Sequence, residues 1–249
     1  MTGYLRELHL PTFRECFEEQ ARRAAQETAS YEQYLLELAE RECQARLATR
    51  TERLLRDSRL PLEKDLASFD LGRLPAKVSR QVRTLLEGSF VERRENLLLF
   101  GKTGTGKTHL LSAIAQELVR SGRKVVSWSC ALLVQELLVA KRDLKLSRVL
   151  KRMSKCEVLL IDDLGYVQQS REEMEVLFTL LAERYERGTV MLTSNLPFSK
   201  WETIFKDPMT TAAAIDRLVH HCVILELNIP SYRMEQAKKN RDTAPDEVN

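Results

Sequence analysis

The 249-residue chain contains no run of about 18 apolar residues, the minimum for a membrane-spanning helix. Its first segment, Met1 to Gln20, mixes arginine and glutamate with its leucines, as no secretory leader does. The expectation is a cytosolic protein without a membrane partner. Paired cysteines are missing too: Cys16, Cys43, Cys130, Cys156 and Cys222 are odd in number and scattered, with no Cys-x-x-Cys spacing. That excludes a disulfide framework and the usual zinc modules, and the five read as reduced, mostly buried thiols. His220 and His221 are adjacent, and neighbours on a helix diverge by about 100°, so they are not expected to share a metal ion. A strong net charge is absent as well, the formal value being +3.

What is present is an ordinary globular composition, 43% hydrophobic and 30% charged, in a length that accommodates one substantial domain and a smaller appendage. The charge is unevenly placed. Arg120 to Lys155 holds ten basic residues against two acidic ones, and a second basic segment runs from Arg41 to Arg59.

Residues 1–65 read as a helical N-terminal domain. Thr12 with Glu15, and Ser30 with Gln33, have capping-box spacing and predict two helix starts. The second helix carries Tyr31, Leu35 and Leu38, then turns Arg-rich, with Arg46, Arg50 and Arg53 on one face suited to DNA. The stretch from Leu60 to Pro75, with a glycine and two prolines, reads as a linker. Residues 66–249 alternate strands and helices, the pattern of a parallel sheet between helical layers. Strands are predicted at Asn96–Phe100, Lys124–Trp128, Glu157–Ile161, Val190–Thr193 and Val223–Leu227, with helices at Thr108–Arg120, Glu172–Arg187 (closed by Gly188) and Thr211–His221.

The sharpest motif is Gly101-Lys102-Thr103-Gly104-Thr105-Gly106-Lys107-Thr108, which satisfies G-x-x-x-x-G-K-[ST] between an apolar strand and an amphipathic helix. Glycines let the loop amides curl around phosphate oxygens, and the helix N-terminus adds positive potential. Lys107 would reach the outer phosphates of ATP and Thr108 would offer its hydroxyl to Mg2+. Val158 to Asp163 is a hydrophobic strand ending in two carboxylates. Asp162 suits the metal; Asp163 stands where many ATPases place a glutamate that orients the attacking water, and it is one methylene shorter. Thr193-Ser194-Asn195 ends the next strand, and Asn195 could position water or touch the γ-phosphate, or simply fill a turn before Pro197. Arg217 is either a surface ion-pair residue or, in an assembly, a group facing a neighbour's nucleotide.

In order, the phosphate loop, Leu160-Ile161-Asp162-Asp163-Leu164-Gly165, Thr193-Ser194-Asn195-Leu196-Pro197-Phe198, Ala214-Ile215-Asp216-Arg217-Leu218 and Ser231-Tyr232-Arg233 resemble the IstB-type helper ATPases of insertion sequences. These are similar to DnaC helicase loaders and belong to the AAA+ superfamily. The resemblance covers about residues 5–240. It implies an AAA+ P-loop core behind a small all-α domain, and an ATPase that forms a homo-oligomer on duplex DNA in support of the transposase of the same element. Asn195 then takes the first sensor position, Arg217 the arginine finger and Arg233 a phosphate or intersubunit contact. The stretch after the last strand, Asn228 to Asn249, is too short for a full helical lid. In related initiator-type ATPases an extra helix before the carboxylate strand grips nucleic acid; Lys141, Arg142, Lys145, Arg148, Lys151 and Arg152 suit that role, or they are a solvated face. No aromatics interleave with them, which favours duplex backbone over stacked single strands. A helicase loader is the alternative reading, and a small-molecule kinase the third.

Overall fold

The structure is a computed structural model that describes residues 1–165, 170–201 and 208–236. Of the Asn228–Asn249 stretch, residues 237–249 lie outside this range. The chain divides into two compact units, Met1–Leu54 and Leu55–Asn249.

The first unit is helical, with α1 (Thr2–Glu7), α2 (Pro11–Gln26) and most of α3 (Tyr31–Ser58). Pro11 opens α2 at a position where its missing N–H costs nothing. The capping box expected at Thr12 does not form, because the helix starts two residues earlier, with Leu10 at the cap position, and no side chain of its own caps it. Glu42 of α3 caps α2 instead, accepting from the amides of Thr12 (2.8 Å) and Phe13 (3.2 Å) while Arg46 holds its other oxygen at 2.7 Å. Burial pushes this carboxyl up, but the bonds from Arg46, Phe13 and Thr12 outweigh it and leave the pKa below the usual range. At the start of α3, Ser30 Oγ accepts from the Gln33 amide (3.2 Å), whereas the Gln33 side chain donates forward to Glu37 rather than back.

The second unit begins with α4 (Ala76–Leu86) and α5 (Ser89–Glu92), followed by β1 (Asn96–Gly101), α6 (Lys107–Arg120), β2 (Val125–Ser129), α7 (Cys130–Arg142), α8 (Leu146–Met153), β3 (Val158–Leu164), α9 (Arg171–Arg184), β4 (Thr189–Ser194), α10 (Pro208–Val219) and β5 (Cys222–Leu227). All strands are parallel, in the order β2-β3-β4-β1-β5. The expected α/β layout is therefore present. Parallel strands covered on both faces read as near-continuous apolar runs, and β1, β3 and β4 do so in their middles, with Asn96, Asp162, Asp163, Thr189, Thr193 and Ser194 at or near their ends. Leu98, Phe100, Leu159, Ile161, Val190 and Leu192 join Leu133, Leu137, Leu177 and Leu180 of α7 and α9 in one core. Their alternates Leu97, Leu99, Leu160 and Met191 point to the other face, where α6 packs across the sheet and α4 packs on α6.

Two polar sutures fix the lower edge of the sheet. Asn96 donates to Leu218 O (3.0 Å) and accepts from Val190 N (2.9 Å), tying β1 to α10 and β4. Arg184, 2% exposed, donates to the carbonyls of Met153, Glu157 and Thr189 at 3.0 Å each. That clamp explains Gly188 differently from the helix cap expected there. A Cβ at position 188 would lie 2.5 Å from Arg184 Nη2, so the glycine makes room for the guanidinium. The helix stops earlier, at Arg184, with Glu186 taking the left-handed turn (φ 55°). All five cysteines are free; only Cys130 and Cys156 are buried, and Cys43 is exposed. Among the described residues no helix is long and apolar enough to cross a membrane.

Candidate nucleotide-binding site

The loop between β1 and α6 opens at the carboxyl edge of the sheet. Gly104 and Gly106 hold φ of 81° and 92°, which side-chain-bearing residues rarely adopt. At Gly104 a second constraint applies: a Cβ would stand 2.2 Å from Ser231 Oγ. The Ser231-Tyr232-Arg233 segment therefore lies directly on the loop, pinned by Tyr232 N donating to Gly104 O (2.9 Å). Lys107, largely buried, donates to Lys102 O at 3.0 Å, and its pKa is pulled down by burial against the opposing pull of Asp163 and Asp162.

The two carboxylates are aimed by a fault in the sheet. Ile161 pairs with Leu192 and Leu164 with Ser194, so three steps on β3 match two on β4. The extra residue is a β-bulge, and Asp163 absorbs it with a left-handed φ of 65°. As a result Asp162 and Asp163 both emerge at the strand end instead of alternating between faces. Thr193 of β4, fully buried, locks the bulge: its hydroxyl donates to Asp162 Oδ1 (2.6 Å) and accepts from the Asp163 amide (2.7 Å). Thr108 Oγ1 donates to the same Asp162 oxygen at 2.9 Å. Asp163 Oδ1 is buried without a hydrogen-bond partner among the described residues, and its pKa is raised first by burial and then by Asp162, against Lys107. A raised pKa makes this carboxylate a better proton acceptor.

These groups surround a cavity of about 420 Å3, within the range of small-ligand sites. It is lined by the loop from Thr103 to His109, by Asp163 and Arg233, and by residues of the segment expected to be only a linker: Phe69, Asp70 and Arg73. That segment is strapped to α6, with Gln116 Nε2 donating to Pro61 O (3.0 Å) and Lys64 O (3.1 Å) and His109 Nε2 lying 2.9 Å from Asp65 O. Arg73 pairs with Glu235 at 2.6 Å and stacks over Tyr232, closing the other wall.

The structure thus gathers Lys107, Thr108, Asp162, Asp163 and Arg233 at one place. Asn195 follows directly after β4 at the same sheet edge, with a buried Oδ1 that has no partner among the described residues, but it does not line the cavity. Arg217 is elsewhere. It lies over Phe178 of α9 (4.6 Å) beside Leu218, which Asn96 holds at the first residue of β1, whereas the phosphate loop leaves the last. Six residues of strand separate the two by roughly 16 Å along the sheet, so Arg217 does not reach the loop of its own chain. The basic run forms two helices, α7 and α8, instead of one, and half of its six named residues are ion-paired: Lys141 with Glu175, Lys145 with Asp143, Arg152 with Glu136. Arg142, Arg148 and Lys151 are exposed. In the first unit Arg46 is engaged with Glu42 and the His9 carbonyl, and Arg50 and Arg53 follow on α3.

Thr193 and the strap are what sequence reasoning missed. A hydroxyl-bearing residue at the end of the strand neighbouring two carboxylates was the available signal for Thr193. Nothing local distinguished the strap from a linker, since its role comes from α6, some fifty residues away.

A phosphate loop after the first strand, an inserted strand between it and the carboxylate strand, and helices on both faces define a P-loop nucleotide-binding protein of AAA+ architecture. The fold matches DnaA from Aquifex aeolicus bound to AMPPCP (TM-score 0.58, 19% identity, 77% of this chain and 58% of that one) and the DnaC helicase loader (TM-score 0.57, 18% identity, 68% and 97%). Residues 3–240 match the model of the IstB-like ATP binding protein family, and the chain belongs to that family. It is 39% identical over 241 residues, 95% of this chain and 81% of the relative, to an insertion sequence ATP-binding protein of Sinorhizobium fredii.

Proposed function

We propose that this protein is an ATP-hydrolysing helper of DNA transposition, which assembles as an oligomer on duplex DNA and recruits or stimulates the transposase of its own element. The observation that carries the reading is the hydroxyl–carboxylate cluster Thr108–Asp162–Thr193–Asp163 set against the phosphate loop, with Arg217 at the opposite end of the sheet. Membership in the family and the insertion-sequence relatives supply the biological setting.

Loop amides and Lys107 bind the ATP phosphates, with Gly101 to Thr108 as the cradle. Thr108 and Asp162 offer hard oxygen donors suited to Mg2+, which would neutralise charge between the outer phosphates. Asp163, raised in pKa and with a free buried oxygen, accepts a proton from the attacking water, and Asn195 helps to hold that water. Arg233 contacts the phosphates from the capping segment. Arg217, unable to serve its own site, completes the site of an adjacent subunit, so ATP occupancy and assembly are coupled. Lys141, Arg142, Lys145, Arg148, Lys151 and Arg152 contact the DNA backbone, with Arg46, Arg50 and Arg53 of the N-terminal unit adding further phosphate contacts.

Sedimentation with ATP or ADP, with and without duplex DNA, tests the proposal. Large complexes that need ATP and duplex, and are lost in Lys107→Ala, support it. A monomer under every condition contradicts it, and assembly only on single strands with a helicase bound points to a loader.

A further inference from the structure

At the edge of the sheet away from the phosphate loop, Glu186, His220 and His221 bring one carboxylate oxygen and two imidazole nitrogens within 4.8 Å of one another. Adjacent histidines on a helix would diverge, but these two are not on one. Helix α10 ends at Val219, and His220 and His221 form the turn that leads into β5, with ring centroids 4.1 Å apart. Glu186 approaches from the turn between α9 and β4, carried there by its left-handed backbone.

The surroundings hold this trio in place. The Glu186 carbonyl accepts from Arg94, the His221 carbonyl from Asn96 N (2.8 Å), and the His220 amide donates to Asp216 O (2.9 Å). Tyr185 Oη lies 2.9 Å from His220 Nδ1. In the tautomer whose Nδ1–H donates to that hydroxyl, Nε2 carries a free lone pair, which is the outer-sphere arrangement that orients metal-bound imidazoles. All three donors are exposed and reachable from solvent.

We infer that Glu186, His220 and His221 form a binding site for a divalent transition ion of the zinc class. Two imidazoles and one carboxylate suit Zn2+, Co2+ or Ni2+ and not the hard cations Mg2+ and Ca2+, which prefer all-oxygen sets. Three protein donors leave at least one position to water. The ion ties the α9–β4 turn to the end of α10, and Arg217 lies three residues before His220 on that helix. The site is thus a clamp on the element that carries Arg217, far from the nucleotide cavity of its own chain.

Zn2+ titrated calorimetrically into the full-length chain, together with the electronic spectrum of the Co2+ form, tests this. The expected result is one ion per chain. Affinity falls at least about tenfold in His221→Ala and in Glu186→Gln, and about tenfold in Tyr185→Phe, whose role is positioning. Binding is unchanged in Cys43→Ser and in Lys107→Ala, the latter separating this site from the nucleotide site. Circular dichroism of each variant without metal establishes that it is folded. Undiminished binding in folded His221→Ala and Glu186→Gln, a thiolate-to-cobalt charge-transfer band, or no stoichiometric binding at all overturns the assignment.

Discussion

Replacing Thr193 by valine removes one hydroxyl and almost no volume, so its effect isolates the lock on the β3 bulge. In the wild type that oxygen donates to Asp162 at 2.6 Å and accepts from the Asp163 amide at 2.7 Å, in a fully buried position. A hydrogen bond to a charged group contributes about 1.5–3 kcal/mol and an orphaned buried amide costs about 1–3 kcal/mol. Both share one atom and are not additive, so about 2–3 kcal/mol is expected for the change. For a unit of this size that lowers Tm by roughly 4–12 °C. The chemical effect is larger than the binding effect. Asp163 holds a left-handed φ of 65° and relies on this bond for its aim, and a shift of about 1 Å in a catalytic group can cost about 100-fold. Thr193→Val should therefore reduce ATP turnover about 10- to 100-fold while ATP affinity, which the proposed function assigns to loop amides and Lys107, changes little. Thr193→Ser, which keeps the hydroxyl, should retain most of the activity. Steady-state hydrolysis with a fluorescent-nucleotide binding assay reads both quantities. Wild-type turnover in Thr193→Val, or equal damage from Thr193→Ser, would refute the reasoning.

Glu42→Ala should destabilise the N-terminal unit by about 1–2 kcal/mol, as loss of a helix cap does, seen as earlier thermal unfolding of its helical signal. Because the folded pKa of Glu42 is lowered, its contribution is fully present above the unfolded carboxyl value and is lost as pH falls through the folded one; the difference between wild type and Glu42→Ala should shrink on acidification, and a constant difference would contradict the capping role. Charge reversal of Lys145, Arg148 and Arg152 to Glu should abolish duplex binding while ATP binding persists. Single replacements by Ala should each reduce the slope of log affinity against log salt by about 0.9, measured by fluorescence anisotropy; unaltered slopes would make these residues mere solvated surface.

Much of the candidate nucleotide site is legible in the linear sequence because its parts are local. A phosphate loop needs its glycines, lysine and threonine within eight residues, and the carboxylate strand announces itself as an apolar run ending in Asp162 and Asp163. The strand and helix alternation is equally direct, since buried parallel strands read as near-continuous apolar runs. What escapes is non-local. Glu42 replaces the expected Thr12 cap because an acceptor on another helix supplies the bond. Gly188 looks like a helix terminator until Arg184 is seen filling the space beside it. The bulge that turns Asp163 toward the cavity depends on the register of β3 against β4, which no single strand reveals. His220 and His221 diverge on an imagined helix and converge on the real turn.

The central claim is that each ATP site is shared, with the phosphate loop from one subunit and Arg217 from the next. It is tested most directly by mixing two inactive variants that still bind ATP, Asp163→Asn and Arg217→Ala, in the presence of duplex DNA. A shared site predicts that each variant alone is inactive and that a one-to-one mixture regains about one quarter of wild-type ATP turnover, because randomly assembled neighbours restore an intact Asp163 facing an intact arginine at that frequency. A mixture as inactive as its components, or an Arg217→Ala protein with full activity on its own, would contradict it.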